Sequence, residues 1–511
     1  MLTRSPTATL PAVRRAVLPI AAAVLLLGPT VLAFRSGGYF KEPRLIAALV
    51  AWVLVLVAAL AGPRPLPERA PGWAVLGGLG FLTAWTALSL TWAPISSAAA
   101  DSVQRLLLYL GVLIAATSLL RVPRVARTLE PALAAGVVIV IGYGLAGRLL
   151  PGLIEMSGSA GSMGRLEQPI TYWNAEGELA AMGLVLCARL AGDTTRPAPA
   201  RALAASVCPL LGMGVYLTYS RGAIAAGVVG LVVLLATAPT RPQLRAVIAA
   251  ALSAVVAGAC SALFRGVASL SGGPGAQERD GALMLALLVL LSALAAFAAV
   301  RWARAEGAQA QTARLSFARR LPAVAATAVA LVVIGLIVGG LGERGASEPE
   351  RLKKASGIRL TTVESRRYDY WRIGLDAFVR EPILGIGAGG YRSEWLRERP
   401  VKEGVREVHS LELGFAAELG LPGLLGVLVM LGGVIAAGRR ALIGGHAIAA
   451  GCCAASTVWL LHASIDWDWE LPAVTLPVVV MAGALIAVSE APQRSTRGAA
   501  EDRATSAVAL D

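Results

Sequence analysis

A histidine and a serine, His409 and Ser410, stand near the end of the longest polar stretch in a mostly apolar chain. Gly420 and Gly423 follow at fixed spacing. An imidazole exchanges a proton near neutral pH, so His409 is a candidate general base or orienting group. Glu412 would lie on the same helix face and is predicted to orient the imidazole. A surface or packing role is the ordinary alternative for a single histidine, and the surrounding pattern is what favours chemistry.

The element that must position this histidine is predicted to be a short helix. His409 is expected to open the helix, and Gly420 suits its C-terminal cap because glycine tolerates positive φ there. Pro422 suits the first turn of the membrane helix that follows. The imidazole is therefore predicted to lie at a membrane boundary beside a carboxylate.

Two further sites lie where predicted membrane helices begin. Ser220 is expected to cap one such helix, and Arg221 adds a permanent positive charge. Arg165 precedes a second start, with Asn174 directly before the helix. The positive end of a helix dipole and a guanidinium both suit phosphate, so each place is predicted to bind an anion. An arginine that merely anchors its helix at the interface is the alternative at both.

The polar stretch contains two more features. A helix capped by Thr361 or Thr362 is predicted to carry Arg366 and Arg367. It is expected either to lie on the membrane surface as an amphipathic helix or to be a solvated surface helix. Residues 381–391 are rich in glycine, and a tight structural turn is the favoured interpretation. They are not a nucleotide-binding loop because no Gly-Lys-Ser/Thr sequence closes them.

Near the C-terminus, carboxylates alternate with tryptophans at Asp466, Trp467, Asp468, Trp469 and Glu470. An aromatic belt with solvated charges at the membrane interface is the favoured interpretation. An acidic or metal-binding site is the alternative.

Composition defines the setting of these residues. The 511 residues are 56% hydrophobic and 15% charged, with a mean hydropathy of +0.67, which is more apolar sequence than a soluble fold buries. Windows of about 20 apolar residues predict an all-α, polytopic membrane protein with about 14 transmembrane helices. We expect membrane helices in residues 1–341, an outer loop in 342–421, further membrane helices in 422–489, and a disordered cytoplasmic tail in 490–511.

The basic residues predict the orientation. Lys and Arg concentrate in the short loops that are cytoplasmic if the N-terminus is inside, so both termini are predicted to be cytoplasmic and the long loop external. This anchoring accounts for most of the net charge of +14. The sequence has no basic stripe with interleaved aromatics, so a nucleic-acid partner is not indicated.

Together, these residues resemble the O-antigen ligase and O-antigen polymerase superfamily of bacterial envelope glycosyltransferases. Its signature is His, then Asn, Ser or Gln, nine residues, Gly, two residues, and Gly, Thr or Tyr, which His409, Ser410, Gly420 and Gly423 match. The resemblance implies a GT-C-type fold in the cytoplasmic (inner) membrane, an active site on the outer face, and neither cofactor nor metal. It implies an undecaprenyl-diphosphate-linked glycan as donor and a lipid- or glycan-anchored acceptor.

The resemblance also implies residue roles. His409 would act on the acceptor hydroxyl, and four arginines would hold the diphosphate: Arg165, Arg221, Arg366 and Arg367. Supporting positions would be Asn174, Ser220, Ser410, Gly420 and Gly423.

Four functions stay open at this point. A ligase is favoured narrowly over a polymerase of the same superfamily. A polytopic transporter or lipid flippase would place charged residues near the bilayer midplane, where few are expected. A metal-dependent GT-C enzyme would use Asp466, Asp468 and Glu470.

Overall fold

The computed structural model describes residues 9–306 except 157 and 160, positions 324 and 327, and residues 367–491. The regular elements of these residues are helices. The boundary predicted between residues 341 and 342, Arg366, and the capping threonines at 361 and 362 lie outside the described residues.

The helices are numbered here in chain order. They are α1 (Thr9–Ala33), α2 (Lys41–Ala61), α3 (Ala70–Ser89), α4 (Ser96–Leu119), α5 (Pro123–Ala126), α6 (Leu129–Leu149), α7 (Trp173–Gly192), α8 (Ala198–Ser206), α9 (Cys208–Leu217), α10 (Arg221–Thr237), α11 (Arg241–Leu263), α12 (Arg265–Ala268), α13 (Pro274–Ala305), α14 (Arg367–Arg380), α15 (Tyr391–Glu398), α16 (Leu411–Ile443), α17 (Ala449–Ala463) and α18 (Pro472–Ser489). Short 3₁₀ turns occupy Ser36–Gly38 and Asp468–Glu470.

The prediction of a polytopic helical membrane protein is confirmed. Over the described residues, nine helical segments are long and apolar enough to cross a bilayer, and three shorter apolar helices accompany them. Helix α7 is not among the nine because it carries Glu176, Glu178 and Arg189. The span predicted near Ala323 falls outside the described residues apart from two helical positions. The count of about 14 therefore stays a prediction.

Helix α16 carries the end of the polar stretch into the bundle by packing closely on α3. A Cβ built at Gly78 of α3 would lie 2.8 Å from the backbone nitrogen of Met430. A Cβ built at Gly433 of α16 would lie 2.8 Å from the carbonyl oxygen of Pro71. Small residues thus let two membrane helices approach backbone to backbone, which fixes where α16 begins.

A kink at Gly420 divides α16 into a short first segment and a long second one. Gly420 has φ 65° and ψ −162°, a conformation that is essentially restricted to glycine. The glycine-rich loop between α14 and α15 wraps this kink: Ile386 N–H donates to the carbonyl of Ala417 at 3.0 Å, and Gly387 N–H to that of Glu418 at 2.8 Å. The predicted C-cap and tight turn are both confirmed, and they pack against each other.

Helix α14 differs from the prediction of a helix lying on the membrane surface. Its apolar face packs against the protein itself: the ring of Tyr370 contacts Trp395, with centroids 5.0 Å apart, and a Cβ at Gly374 would lie 2.9 Å from Val408. Periodicity identified an amphipathic helix but could not say what covers its apolar face.

Candidate active site

His409 lies directly before α16 and does not open it. Ser410 is the N-cap residue, and its side chain accepts a hydrogen bond from Leu413 N–H at 3.4 Å. His409 itself has φ 59°, in the left-handed region. The prediction that His409 starts the helix is therefore wrong by two residues, because serine is a strong N-cap and ends the non-helical segment at 410.

The backbone of Glu407 orients the imidazole. Nδ1 of His409 lies 2.9 Å from the Glu407 carbonyl oxygen. A carbonyl can only accept, so Nδ1 carries the proton and a neutral ring leaves Nε2 as the basic nitrogen. The Tyr370 ring lies against the imidazole at 4.8 Å between centroids, and Trp371 Nε1 donates to the His409 carbonyl at 2.9 Å. The ring is thus held on one side by a hydrogen bond and on a face by an aromatic ring.

Burial is the main cause that lowers the pKa of His409 below its ordinary value of 6.5. The Asp466 carboxylate raises this pKa and the Arg367 guanidinium lowers it, and the two largely oppose each other. The imidazole is consequently neutral at pH 7, which is the form required of a general base.

Glu412 does not occupy the orienting position predicted for it. Its carboxylate accepts a hydrogen bond from Ser464 Oγ at 2.9 Å, and Ser410 Oγ lies at 3.5 Å from its other oxygen. Because His409 precedes the helix, it is not in helical register with Glu412. Glu412 instead links the first turn of α16 to the segment after α17.

Asp466 is the centre of the largest polar network around His409. It is 1% exposed and accepts from Tyr172 Oη at 2.7 Å, from Asn174 Nδ2 at 2.8 Å, and from the Arg367 guanidinium. Burial raises the pKa of the Asp466 carboxyl, but the Arg367 guanidinium, the two histidines His409 and His462, and the hydrogen bond from Tyr172 together outweigh it, and the pKa lies below its usual value. Asp466 therefore stays ionised and joins α14 to the start of α7.

Two of the predicted arginines lie at neighbouring helix starts. The Arg165 guanidinium carbon lies 3.5 Å from the ring centroid of Trp173, the first residue of α7, and its Nε donates to the Ser162 carbonyl at 2.9 Å. Arg221 is the exposed first residue of α10, whose N-cap Ser220 accepts from Ala223 N–H at 3.3 Å, as predicted.

The start of α10 packs against the end of α17. A Cβ built at Gly222 would lie 3.1 Å from Cδ2 of His462 and 3.0 Å from Cδ1 of Ile465. Arg221 therefore begins the helix that packs against the segment containing Asp466.

The aromatic belt predicted for residues 466–470 is wrong. Asp466, Asp468 and Trp469 are buried, and the Trp467 ring lies 4.5 Å from Tyr172 and 6.3 Å from His409. The segment lies inside the protein, and each of its carboxylates pairs with a polar side chain of another helix.

The alternative metal site predicted from Asp466, Asp468 and Glu470 is not formed, because each of these carboxylates has a different partner. Asp466 faces Arg367, Asp468 accepts from His462 Nδ1 at 2.7 Å, and Glu470 pairs with Arg105. A different set can hold a metal: Glu178, His462 and Asp468, whose ligand atoms lie within 4.8 Å of one another. We refer to these three residues as the carboxylate–histidine cluster.

Sequence reasoning missed Tyr172 as a site residue, left Asp466 undecided, and did not recognise the Glu407 carbonyl. Tyr172 and Asp466 lie 294 residues apart in the chain, so no local pattern joins them. The signal that was present is the alternation of carboxylates with tryptophans, which in a mostly apolar chain also fits a buried polar segment.

The apolar helices form a bundle, and ionisable side chains lie where α7, α10, α16 and α18 begin. This arrangement is that of a polytopic membrane protein with a polar site at its helix ends. The O-Antigen ligase family matches residues 280–428, a range that contains His409, Ser410, Gly420 and Gly423. Residues 280–428 therefore carry the similarity to the O-antigen ligase family that the resemblance predicted. No curated protein matches it. Arg165, Arg221 and Asp466 lie outside the matched range, and only the fold connects them to it.

Proposed function

We propose that the protein transfers a glycan from an undecaprenyl-diphosphate carrier to an acceptor hydroxyl at the outer face of the cytoplasmic membrane. The observation that carries this proposal is the state of His409. It is a neutral imidazole with a fixed tautomer and a lowered pKa, within the O-antigen ligase region of the chain.

In the proposed reaction, Nε2 of His409 takes the proton of the acceptor hydroxyl as its oxygen attacks the anomeric carbon of the donor sugar. The bond between that carbon and the diphosphate oxygen breaks, and the diphosphate leaves with the electron pair. A positioned base contributes about 10² to 10⁴-fold. The remaining acceleration comes from holding two lipid-anchored substrates in register and from countering the charge of the leaving group.

Arg165 and Arg221 are the proposed diphosphate ligands, since both lie at helix starts whose dipoles favour an anion. Arg367 is already paired with Asp466. We therefore favour a role for Arg367 in holding the residues around His409 in place over a role in binding phosphate. Arg366 remains a prediction. Neither a cofactor nor a metal is required by this mechanism.

Transfer to a lipid- or glycan-anchored acceptor, as in a ligase, is proposed ahead of chain extension by a polymerase. The proposal also requires both termini to be cytoplasmic. A reporter fused within residues 400–406 must then register outside the cytoplasm, and a cytoplasmic signal there would contradict the proposal.

The catalytic assignment is tested with His409→Ala in cells that depend on this chain. Attachment or chain length of the envelope glycan should be lost while the protein level stays that of the wild type. Arg221→Ala should weaken use of the donor, and Arg221→Lys distinguishes charge from the planar geometry of guanidinium. Unchanged glycan in His409→Ala would remove the imidazole from the mechanism.

A further inference from the structure

A cavity of about 60 Å³ adjoins His409 on the side of α3 and α4. Its lining includes Glu407, Glu418, Glu470, Arg105, Thr86 and Trp469. One water molecule needs roughly 10–15 Å³ on this measure, so the cavity has room for several waters or for one hydroxyl-bearing edge of a sugar.

Acidic side chains outnumber basic ones in the lining of this cavity. Three glutamates face a single arginine, and Arg105 is already committed to Glu470. Glu418 accepts from the backbone N–H groups of Gly389 and Tyr391, at 2.9 and 3.2 Å. A phosphate placed here would meet an excess of carboxylates, whereas the arginines proposed for the diphosphate lie elsewhere.

Several polar groups of the cavity have unused hydrogen-bonding capacity. Thr86 is 1% exposed, and neither its Oγ1 nor Nε of the buried Arg105 has a hydrogen-bond partner among the described residues. The Glu407 side chain also lines the cavity. Buried polar atoms without partners are uncommon, and here two of them belong to residues that line one cavity.

Glu407 has a second connection to the chemistry. Its carbonyl holds Nδ1 of His409 while its side chain lines the cavity. Burial, followed by the Glu470 and Glu418 carboxylates, raises the pKa of the Glu407 carboxyl well above its ordinary value. A hydroxyl donor or an ammonium group would relieve this arrangement, and another anion would worsen it.

We propose that this cavity binds the acceptor sugar and that Glu407 accepts a hydrogen bond from a hydroxyl adjacent to the one that reacts. The site then selects uncharged or amino sugars and rejects a phosphorylated sugar at this position. Trp469 supplies an apolar surface for a ring face. This inference rests on the proposed function, because it takes the sugar to be the acceptor of the same transfer.

Binding is measured on the full chain in lipid nanodiscs by saturation-transfer NMR, without turnover. The probes are methyl β-glucoside, its 2-amino analogue and its 6-phosphate. The variants are Glu407→Gln, Thr86→Val as a second test from a different helix, and Glu398→Gln as the matched control. Glu398 is a carboxylate of α15 whose partner is the half-exposed Arg380.

Wild type and Glu398→Gln should bind the neutral and amino glycosides, and the 6-phosphate at least about tenfold more weakly. Glu407→Gln should weaken the neutral glycoside by up to about tenfold, as expected for loss of one hydrogen bond, and should reduce the discrimination against phosphate. Thr86→Val should weaken binding in the same direction. Unfolding temperatures establish that each variant is folded.

Equal binding by Glu407→Gln and Glu398→Gln, 6-phosphate binding as tight as that of the neutral glycoside, or no binding to the wild type would each overturn the inference. Those results leave the proposed function standing if His409→Ala still loses transfer. If His409→Ala retains transfer, the proposed function fails irrespective of the sugar measurements.

Discussion

Replacing Gly420 by alanine tests whether the kink in α16 positions the site. The substitution adds one methyl group, and a Cβ at this position would lie 2.2 Å from the carbonyl oxygen of Ile383 and 2.9 Å from the backbone nitrogen of Gly385. Both are backbone atoms of the loop that wraps the kink, so they cannot rotate away as a side chain would.

The size of the effect follows from that distance. The backbone must separate by about 0.8 Å to reach the 3.0 Å below which Cβ contacts essentially do not occur. The displacement would be transmitted by the rigid turns from 411 to 419 to Ser410 and His409. A misplacement of about 1 Å lowers rates by about 10²-fold. The φ of 65° adds about 1–3 kcal/mol of strain in the folded state.

We expect Gly420→Ala to lower glycan transfer about 10²-fold in cells that depend on this chain and to lower the unfolding temperature. The matched control is Gly432→Ala, in the same helix, where an added Cβ meets nothing within 4 Å. Activity of Gly420→Ala within threefold of Gly432→Ala, at equal protein level, would refute the reasoning.

Three further predictions concern the charges of the site. The acidic limb of the pH–rate profile should have its midpoint below 6.5, because burial lowers the pKa of His409 and the base form is lost only as pH falls through that value; a midpoint above 6.5 would contradict this. Asp466→Asn should move that limb to still lower pH, since the lost carboxylate raised the pKa of His409, and should destabilise the fold by up to about 3–5 kcal/mol by removing the carboxylate that pairs with Arg367; pH profiles and denaturation of the purified protein measure both effects. Dialysis against EDTA should leave the transfer rate unchanged, whereas loss of activity that a divalent cation restores would indicate a metal at the carboxylate–histidine cluster.

The sequence by itself determined the features that depend on local physics. The apolar windows established helices and a membrane location, because the backbone in lipid satisfies its own hydrogen bonds. Ser220 could be identified as a helix cap and Gly420 as a break, since each rests on neighbours within a few positions, and His409 could be singled out as a candidate reactive residue. The signature around His409 also pointed to the O-antigen ligase family, whose model matches residues 280–428.

Only the tertiary structure decided how these residues are used. Asp466 meets Tyr172 and Asn174 across 294 and 292 residues of chain, and Arg367 joins them from a third element. The Glu407 carbonyl rather than the Glu412 carboxylate orients His409, because Ser410 caps the helix and the helix begins two residues later than expected. For residues 466–470, burial distinguishes an internal polar network from an aromatic belt at the membrane interface. Burial is a property of the folded chain, and the alternation of residue types does not specify it.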